Sequence, residues 1–154
     1  VQIVAIPSFG ILSDRLGRRP VYLAGTIFIG LFAFPFFWMI ETKETVYVWL
    51  AIVLGLVGHS AMYGPQAAFF SELFGTRVRY SGASIGYQLA SPLAGGIAPL
   101  IATWLLRESG GKSGPVSIYL IVTAVITLVA IWLAAETYRT NLGDSEDENP
   151  TSPD

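Results

Sequence analysis

One short stretch of the chain carries polar side chains whose types and spacing could move a proton or bind a polar ligand. His59, Tyr63 and Gln66 stand at positions i, i+4 and i+7, so a helix places all three on one face. His59 is the only histidine in the sequence, and an imidazole titrates near neutral pH. His59 is therefore the candidate for proton coupling, with a packing role inside an interhelical hydrogen-bond patch as the alternative.

Further polar residues follow on the next long uncharged stretch. Gln88 and Ser91 share one helical face, and we predict that they line a substrate cavity together with His59, Tyr63 and Gln66. The pair Gly64-Pro65 interrupts the hydrogen-bond ladder of its helix, which would leave carbonyl groups available to a ligand. A kink that serves helix packing alone is an equal alternative.

Two of the charged connections carry residues that could pair with one another. The first, called here the signature segment, is Gly10-Ile-Leu-Ser-Asp14-Arg15-Leu-Gly17-Arg18-Arg19-Pro20. The second contains Glu72, Arg77 and Arg79. Glu72 is close enough in sequence to pair with these two arginines or with the signature segment, and such a pair could gate a conformational change. A solvated loop whose surface pairs contribute under about 1 kcal/mol is the alternative.

The sequence lacks the groups that most enzymes and metalloproteins use. It contains no cysteine, which excludes disulfides and thiolate metal sites. Only the adjacent His59 and Ser60 approach a catalytic pair, and successive helical residues point about 100° apart. We therefore expect no enzyme, no cofactor and no metal site. A net charge of -2 without a basic stripe also argues against nucleic acid as a partner.

Long uncharged stretches must position these groups. Hydrophobic residues make up 53% of the chain and charged residues 13%, about half the charged share of an ordinary soluble domain. No Asp, Glu, Lys or Arg occurs in residues 1–13, 20–40, 45–71, 80–106 and 113–135. The last four stretches reach the roughly 20 residues that a helix needs to cross a bilayer. We predict an all-α membrane protein, a bundle of transmembrane helices in contact with the lipid bilayer.

The predicted order begins with a partial helix over residues 1–12 and a turn at Ser13–Pro20. Spanning helices follow near residues 21–40, 46–70, 81–106 and 116–135, and then an acidic tail, residues 137–154. The tail has no apolar cluster to bury, so we expect it to be disordered. The first apolar run stops after 13 residues, short of a full span, and we expect the chain to belong to a longer protein.

The distribution of basic residues predicts the orientation. One side of the membrane receives Arg15, Arg18, Arg19, Arg77, Arg79 and Arg139. The other side receives Lys43, Arg107 and Lys112. The positive-inside rule therefore places the signature segment and the C-terminus in the cytoplasm.

The signature segment resembles the G-x-x-x-D-R-x-G-R-R signature of the major facilitator superfamily at each defining position. In that superfamily the signature lies in the cytoplasmic loop between helices 2 and 3 and, usually less complete, between helices 8 and 9. Four full spans follow the segment here, so the resemblance implies helices 8 to 12. Residues 59–88 are similar to the metabolite and proton symporter branch. That likeness is carried by His59, Tyr63, Gly64-Pro65, Gln66, Glu72, Arg77, Arg79, Gly82, Gly86 and Gln88.

The resemblance implies part of the C-terminal six-helix half of a twelve-helix transporter, with the N-terminal half as its missing partner. It implies gradient-driven transport of a small metabolite, an organic acid, betaine or amino-acid-like compound, with protons across a bacterial cytoplasmic membrane. A sugar porter of the same superfamily and a scaffold subunit that transports nothing are the alternatives. A sugar porter would show Pro-Glu-Thr after the last helix, where this chain has Ala135-Glu136-Thr137.

Overall fold

The computed structural model describes residues 1–73 and 79–134. Its helices are α1 (Gln2–Leu16), α2 (Arg18–Glu41), α3 (Thr45–Leu73), α4 (Arg79–Ser91), α5 (Ala98–Glu108) and α6 (Gly114–Leu133). A π-helical segment, Pro92–Ile97, joins α4 to α5. The described part contains no strand, and the prediction of an all-α bundle is confirmed. Arg77 and the predicted tail lie outside the described residues.

Four helical stretches among the described residues are long and apolar enough to cross a membrane, and the third of them combines part of α4, the π-helical segment and α5. They are Arg18–Glu41, Thr45–Glu72, Ser84–Glu108 and Gly114–Leu133. The most apolar 18-residue windows of these helices have mean hydropathies between 1.6 and 2.5. Each helix overlaps one of the four spans predicted from the uncharged stretches.

The turn between α1 and α2 is much shorter than the predicted Ser13–Pro20. Helix α1 continues to Leu16 and α2 begins at Arg18, so Gly17 alone connects them. The Ser13 hydroxyl donates to the Gly10 carbonyl, and Gly17 has a φ of 105°, which favours glycine. Local hydrogen bonds and one glycine thus let the charged residues remain helical, whereas the sequence predicted a turn over all of Ser13–Pro20.

Helix α2 packs against α1, α3 and α6. Glycines permit the close approach of α2 to α3: a Cβ atom at Gly25 would lie 2.8 Å from Cγ of Met62. A Cβ atom at Gly58 would lie 2.5 Å from Cδ1 of Phe28. Small residues at such contacts let helix backbones pack tightly in a membrane, where dispersion replaces the hydrophobic effect.

The span formed by α4, the π-helical segment and α5 lies at the edge of the described bundle. Helix α4 contacts α3 and helix α5 contacts α6, and none of the described residues in the most apolar window of this span is buried. Pro92 opens the π-helical segment, and Gly95 and Gly96 lie within it. Proline removes a backbone donor and glycine costs helix stability, so both favour this irregular turn.

Candidate functional site

The polar face of α3 centres on a stacked pair of rings. The imidazole of His59 and the phenol of Tyr63 have centroids 5.5 Å apart and an interplanar angle of 19°. This stacking follows from their i, i+4 spacing, which places successive side chains over one another. Both side chains are exposed. The pair therefore places an imidazole ring and a hydroxyl group on the surface of the described bundle.

Gln2 on α1 approaches this pair from a second helix. Its amide nitrogen lies 3.1 Å from Nδ1 of His59. With the amide N–H as donor, Nδ1 is the acceptor, and the neutral imidazole carries its proton on Nε2. Sequence reasoning missed Gln2, although a polar residue inside the first apolar run was a usable signal.

A third helix reaches the same place through Tyr87 on α4. The Tyr87 and Tyr63 side chains lie within interacting distance of one another. Of the remaining predicted cavity residues, Gln66 is half-buried on α3, whereas Gln88 and Ser91 are exposed on α4. The structure therefore brings residues of α1, α3 and α4 to one polar cluster, and the contribution of Gln66, Gln88 and Ser91 to a cavity stays a prediction.

Gly64 lies one residue beyond Tyr63 and packs directly against α1. A Cβ atom at this position would lie 2.8 Å from the Ile6 carbonyl oxygen and 2.9 Å from the Gly10 amide nitrogen. Pro65 is fully buried. Close packing against α1 is thus a sufficient reason for glycine at position 64, in keeping with the packing interpretation of Gly64-Pro65. It also places Gly10 of the signature segment against α3.

An ion cluster joins three helices at the end of the bundle that carries Gly17, called here the signature end. The Arg18 guanidinium donates to the Glu72 carboxylate at 3.2 Å and to the Ser13 hydroxyl at 2.8 Å, and it also pairs with Asp14. The Arg18 and Glu72 side chains are 14% and 17% exposed. Hydrogen bonds to charged groups contribute about 1.5–3 kcal/mol each to stability. This half-buried pair therefore stabilises the bundle more than an exposed surface pair would.

A second arginine extends the signature end to α6. Nη2 of Arg19 donates to the Trp132 carbonyl oxygen at 2.6 Å, within the last turn of α6. Carbonyl groups there lack helical partners, and a cation favours the negative end of the helix dipole. Arg15 is exposed on α1, and Arg79 begins α4.

Two of the cavities between the described helices are apolar. A cavity of about 310 Å³ lies between α2, α3 and α6, lined by residues such as Phe32, Phe36 and Leu56. Another of about 310 Å³ lies between α1, α2 and α3, lined by residues such as Phe9 and Phe28. None of the predicted substrate-cavity residues lines either of them. Within the described residues no group of three or more His, Cys, Asp or Glu could hold a metal ion.

Comparison with known proteins identifies the family. The family model of the Major Facilitator Superfamily matches residues 1–153. The chain is 39% identical over 140 residues to the shikimate transporter of Escherichia coli (strain K12), covering 90% of this chain and 32% of that protein. It is also 39% identical over 140 residues to the inner membrane metabolite transport protein YhjE of the same strain, covering 90% and 31%.

A third relative is the proline/betaine transporter of Escherichia coli (strain K12), 32% identical over 123 residues, which cover 80% of this chain and 24% of that protein. The chain thus spans between a quarter and a third of the length of these relatives. No solved structure matches the chain significantly. The family match and the relatives agree with the prediction of a transporter rather than an enzyme. The chain belongs to the major facilitator superfamily and is part of a multi-pass membrane protein.

Proposed function

We propose that the full-length protein containing this chain is a secondary transporter that moves a small metabolite together with protons by alternating access. The observation that carries the proposal is the His59–Tyr63 pair. It places a titratable imidazole, stacked on a phenol, on the exposed face of a helix that is apolar enough to span a membrane. Ionisable groups at membrane depth mark proton or substrate pathways far more often than they mark lipid contacts.

The substrate class follows from the chemistry of this face and from the relatives. The relatives are named for shikimate and for proline and betaine, compounds that carry a carboxylate. No Lys or Arg occurs in residues 45–71 or 80–106, so a carboxylate on this face would meet neutral donors or a protonated His59. A protonated imidazole attracts the carboxylate and a neutral one releases it, which would couple the proton to an organic acid, betaine or amino-acid-like substrate.

The signature end supplies the proposed gate. The Arg18–Glu72 pair links α2 to α3 where the two helices end, and opening that end of the bundle would separate its charges. An ion pair formed in one state and broken in the other biases a two-state equilibrium by its own free energy. Because basic residues are more numerous there, we place the signature end and the C-terminus in the cytoplasm.

The N-terminal half of the transporter would complete the site. In a transporter built from two halves the substrate lies near the bilayer midplane between them. The polar cluster of α1, α3 and α4 is exposed in the described bundle, so it is available to such a partner. We place the complete protein in the bacterial cell membrane with the lipid bilayer, substrate and protons as its other partners.

Uptake by membrane vesicles that carry the full-length protein tests this function. The substrates are radiolabelled organic acids, betaines and amino acids, each with and without an imposed inward proton gradient. We expect the gradient to stimulate the uptake of one compound class. A folded protein that takes up none of them would favour the sugar-porter or scaffold alternative.

The variant His59→Gln tests the coupling step with the same vesicles. Gln keeps hydrogen-bonding groups and similar volume but cannot take up a proton near neutral pH. We expect it to abolish stimulation by the proton gradient while exchange of substrate between the two sides continues at a lower affinity, because the neutral Gln amide can still donate to the carboxylate. Gradient-stimulated uptake at the parent rate in this variant would exclude His59 as the proton carrier.

A further inference from the structure

We propose that Gln2 is a positioning residue that sets which nitrogen of His59 carries the proton and changes its hydrogen bond when His59 becomes protonated. The inference rests on the proposed proton-coupled transport for its functional meaning. Its geometric basis is independent: the Gln2 amide nitrogen lies 3.1 Å from His59 Nδ1, and the two residues belong to different helices.

The amide donor fixes the neutral tautomer. An imidazole nitrogen that accepts a hydrogen bond holds no proton, so the proton of neutral His59 resides on Nε2. His59 stacks on Tyr63 and is exposed. The hydrogen bond with Gln2 therefore occupies Nδ1. The Nε2–H group remains available to donate to a substrate.

Protonation of Nδ1 reverses the direction of the hydrogen bond that this contact requires. The ring nitrogen then donates, and the Gln2 amide must rotate so that its carbonyl oxygen accepts. Glutamine suits both states because its amide holds a donor and an acceptor at nearly the same place. A side chain that only accepts would favour the state with a proton on Nδ1. A side chain that neither donates nor accepts would leave the ring without this hydrogen bond.

Among the described residues, few other groups act on this imidazole. Gln2 faces it from α1, and Tyr63, which itself interacts with Tyr87 of α4, faces it from its own helix. From α2 the residues nearest this level of α3 are apolar, with Phe28 and Ile29 packed at Gly58. Neither described salt bridge involves His59, since both belong to Arg18. A change at Gln2 should therefore act on His59 without passing through an ion network.

Nitrogen-15 NMR of the full-length protein, with labelled histidine, tests the assignment without relying on transport. The His59 signal is identified by its loss in His59→Gln. We expect the neutral parent to show the Nε2–H tautomer. In Gln2→Glu a carboxylate accepts from the ring, so the neutral form should change to Nδ1–H and the protonation midpoint should rise by about 1–3 pH units.

Two further variants keep the test decisive. Ser8→Glu places a carboxylate on the same helix, about 120° around it from Gln2, at an exposed position; it should leave the tautomer unchanged. Gln2→Met keeps the length of the side chain without a donor or an acceptor and should populate both tautomers. A parent signal from Nδ1–H, or a tautomer that does not respond to Gln2→Glu, overturns the inference.

Transport then separates this inference from the proposed function. If both hold, the pH midpoint of gradient-driven uptake rises in Gln2→Glu by about the 1–3 units expected of an adjacent opposite charge. A tautomer change in a protein that transports no substrate supports the positioning role of Gln2 and contradicts the proposed function. Uptake that keeps the parent pH profile despite the tautomer change supports Gln2 as well and removes His59 from the coupling step.

Discussion

Gly64 illustrates how a single residue positions the polar face of α3. The absent side chain leaves room for the backbone of α1, with a virtual Cβ only 2.8 Å from the Ile6 carbonyl oxygen. This contact fixes the distance between α1 and α3 one residue beyond Tyr63. At the next level of the same two helices Gln2 meets His59, so the hydrogen bond depends on the packing that Gly64 permits.

The substitution Gly64→Ala should therefore destabilise the protein. Alanine favours a helix over glycine by about 1 kcal/mol, but overpacking against a rigid backbone costs about 1–3 kcal/mol, and at this position the clash should prevail. Gly55→Ala, on the same helix, is the matched control, since a Cβ there would lie 3.5 Å from Cε2 of Phe36, an ordinary van der Waals contact. Thermal unfolding of the full-length protein in detergent should show a lower midpoint for Gly64→Ala and an equal or higher one for Gly55→Ala. Equal midpoints for the two variants would contradict the packing role.

The sequence predicted part of this polar cluster and missed the rest for a physical reason. His59 and Tyr63 share a face because helical periodicity is local, and the structure shows their rings stacked. Gln2 and Tyr87 join them through tertiary packing between helices far apart in sequence. No spacing rule reports such contacts. The same limit applies to Gly64, for which a ligand-facing kink and a packing role are indistinguishable until α1 is in place.

At the scale of helices, two consecutive arginines at the start of α2 bind the ends of three other helices, α1, α3 and α6. Arg18 joins α2 to α1 through Asp14 and to α3 through Glu72. Arg19 joins it to the last turn of α6 through the Trp132 carbonyl. Polar contacts at the signature end thus link four helices. The positive-inside rule alone would require only that basic residues be present on that side, exposed and without such contacts.

Loss of the Glu72 charge should weaken this junction. In Glu72→Gln the half-buried Arg18 loses one of its carboxylate partners, and we expect a cost of about 1–3 kcal/mol in unfolding free energy. Glu44→Gln, at an exposed position just before the start of α3, should change stability by less than about 0.5 kcal/mol. Denaturation of the two variants in parallel compares them, and a Glu72→Gln variant as stable as Glu44→Gln would show that the pair contributes little.

Removal of the Arg19 guanidinium should loosen the end of α6. A cation at a partly buried helix C-terminus contributes up to about 2 kcal/mol, so amide exchange near Ile131 and Trp132 should accelerate by up to roughly thirtyfold in Arg19→Gln. Arg19→Lys, which keeps the charge, should accelerate it less. Hydrogen exchange read by mass spectrometry measures the effect, with the middle of α6 as an internal reference. Parent-like exchange in Arg19→Gln would mean that the bond to Trp132 does not hold the helix end.

Sequence reasoning predicted the pairing partners at this end better than the shape of the connection. A pair between Glu72 and the signature segment was one of two alternatives that the sequence left open, and the structure shows it between Glu72 and Arg18. The eight-residue turn was wrong in extent, since Gly17 alone joins α1 to α2. The bond from Arg19 had no signal in the sequence because its acceptor is a backbone carbonyl 113 positions away.

At the scale of the whole molecule the described helices differ in how firmly they are joined. Helix α2 is central and packs against α1, α3 and α6, whereas the span from α4 to α5 touches α3 and α6 only. That span also contains the π-helical segment, and none of the described residues in its most apolar window is buried. Its exposed face leaves room for further helices of the full-length protein. The four spans themselves were predictable, because a bilayer demands long uncharged helices whatever the local propensity.

The most direct test of the account is simultaneous measurement of substrate uptake and proton movement in proteoliposomes that contain the full-length protein. With the substrate identified by the uptake panel, we predict that adding it outside drives protons inward, seen as external alkalinisation, and that His59→Gln abolishes this proton flux while substrate exchange continues. Substrate accumulation by the parent without any proton movement, or an unchanged proton flux in His59→Gln, would contradict the account.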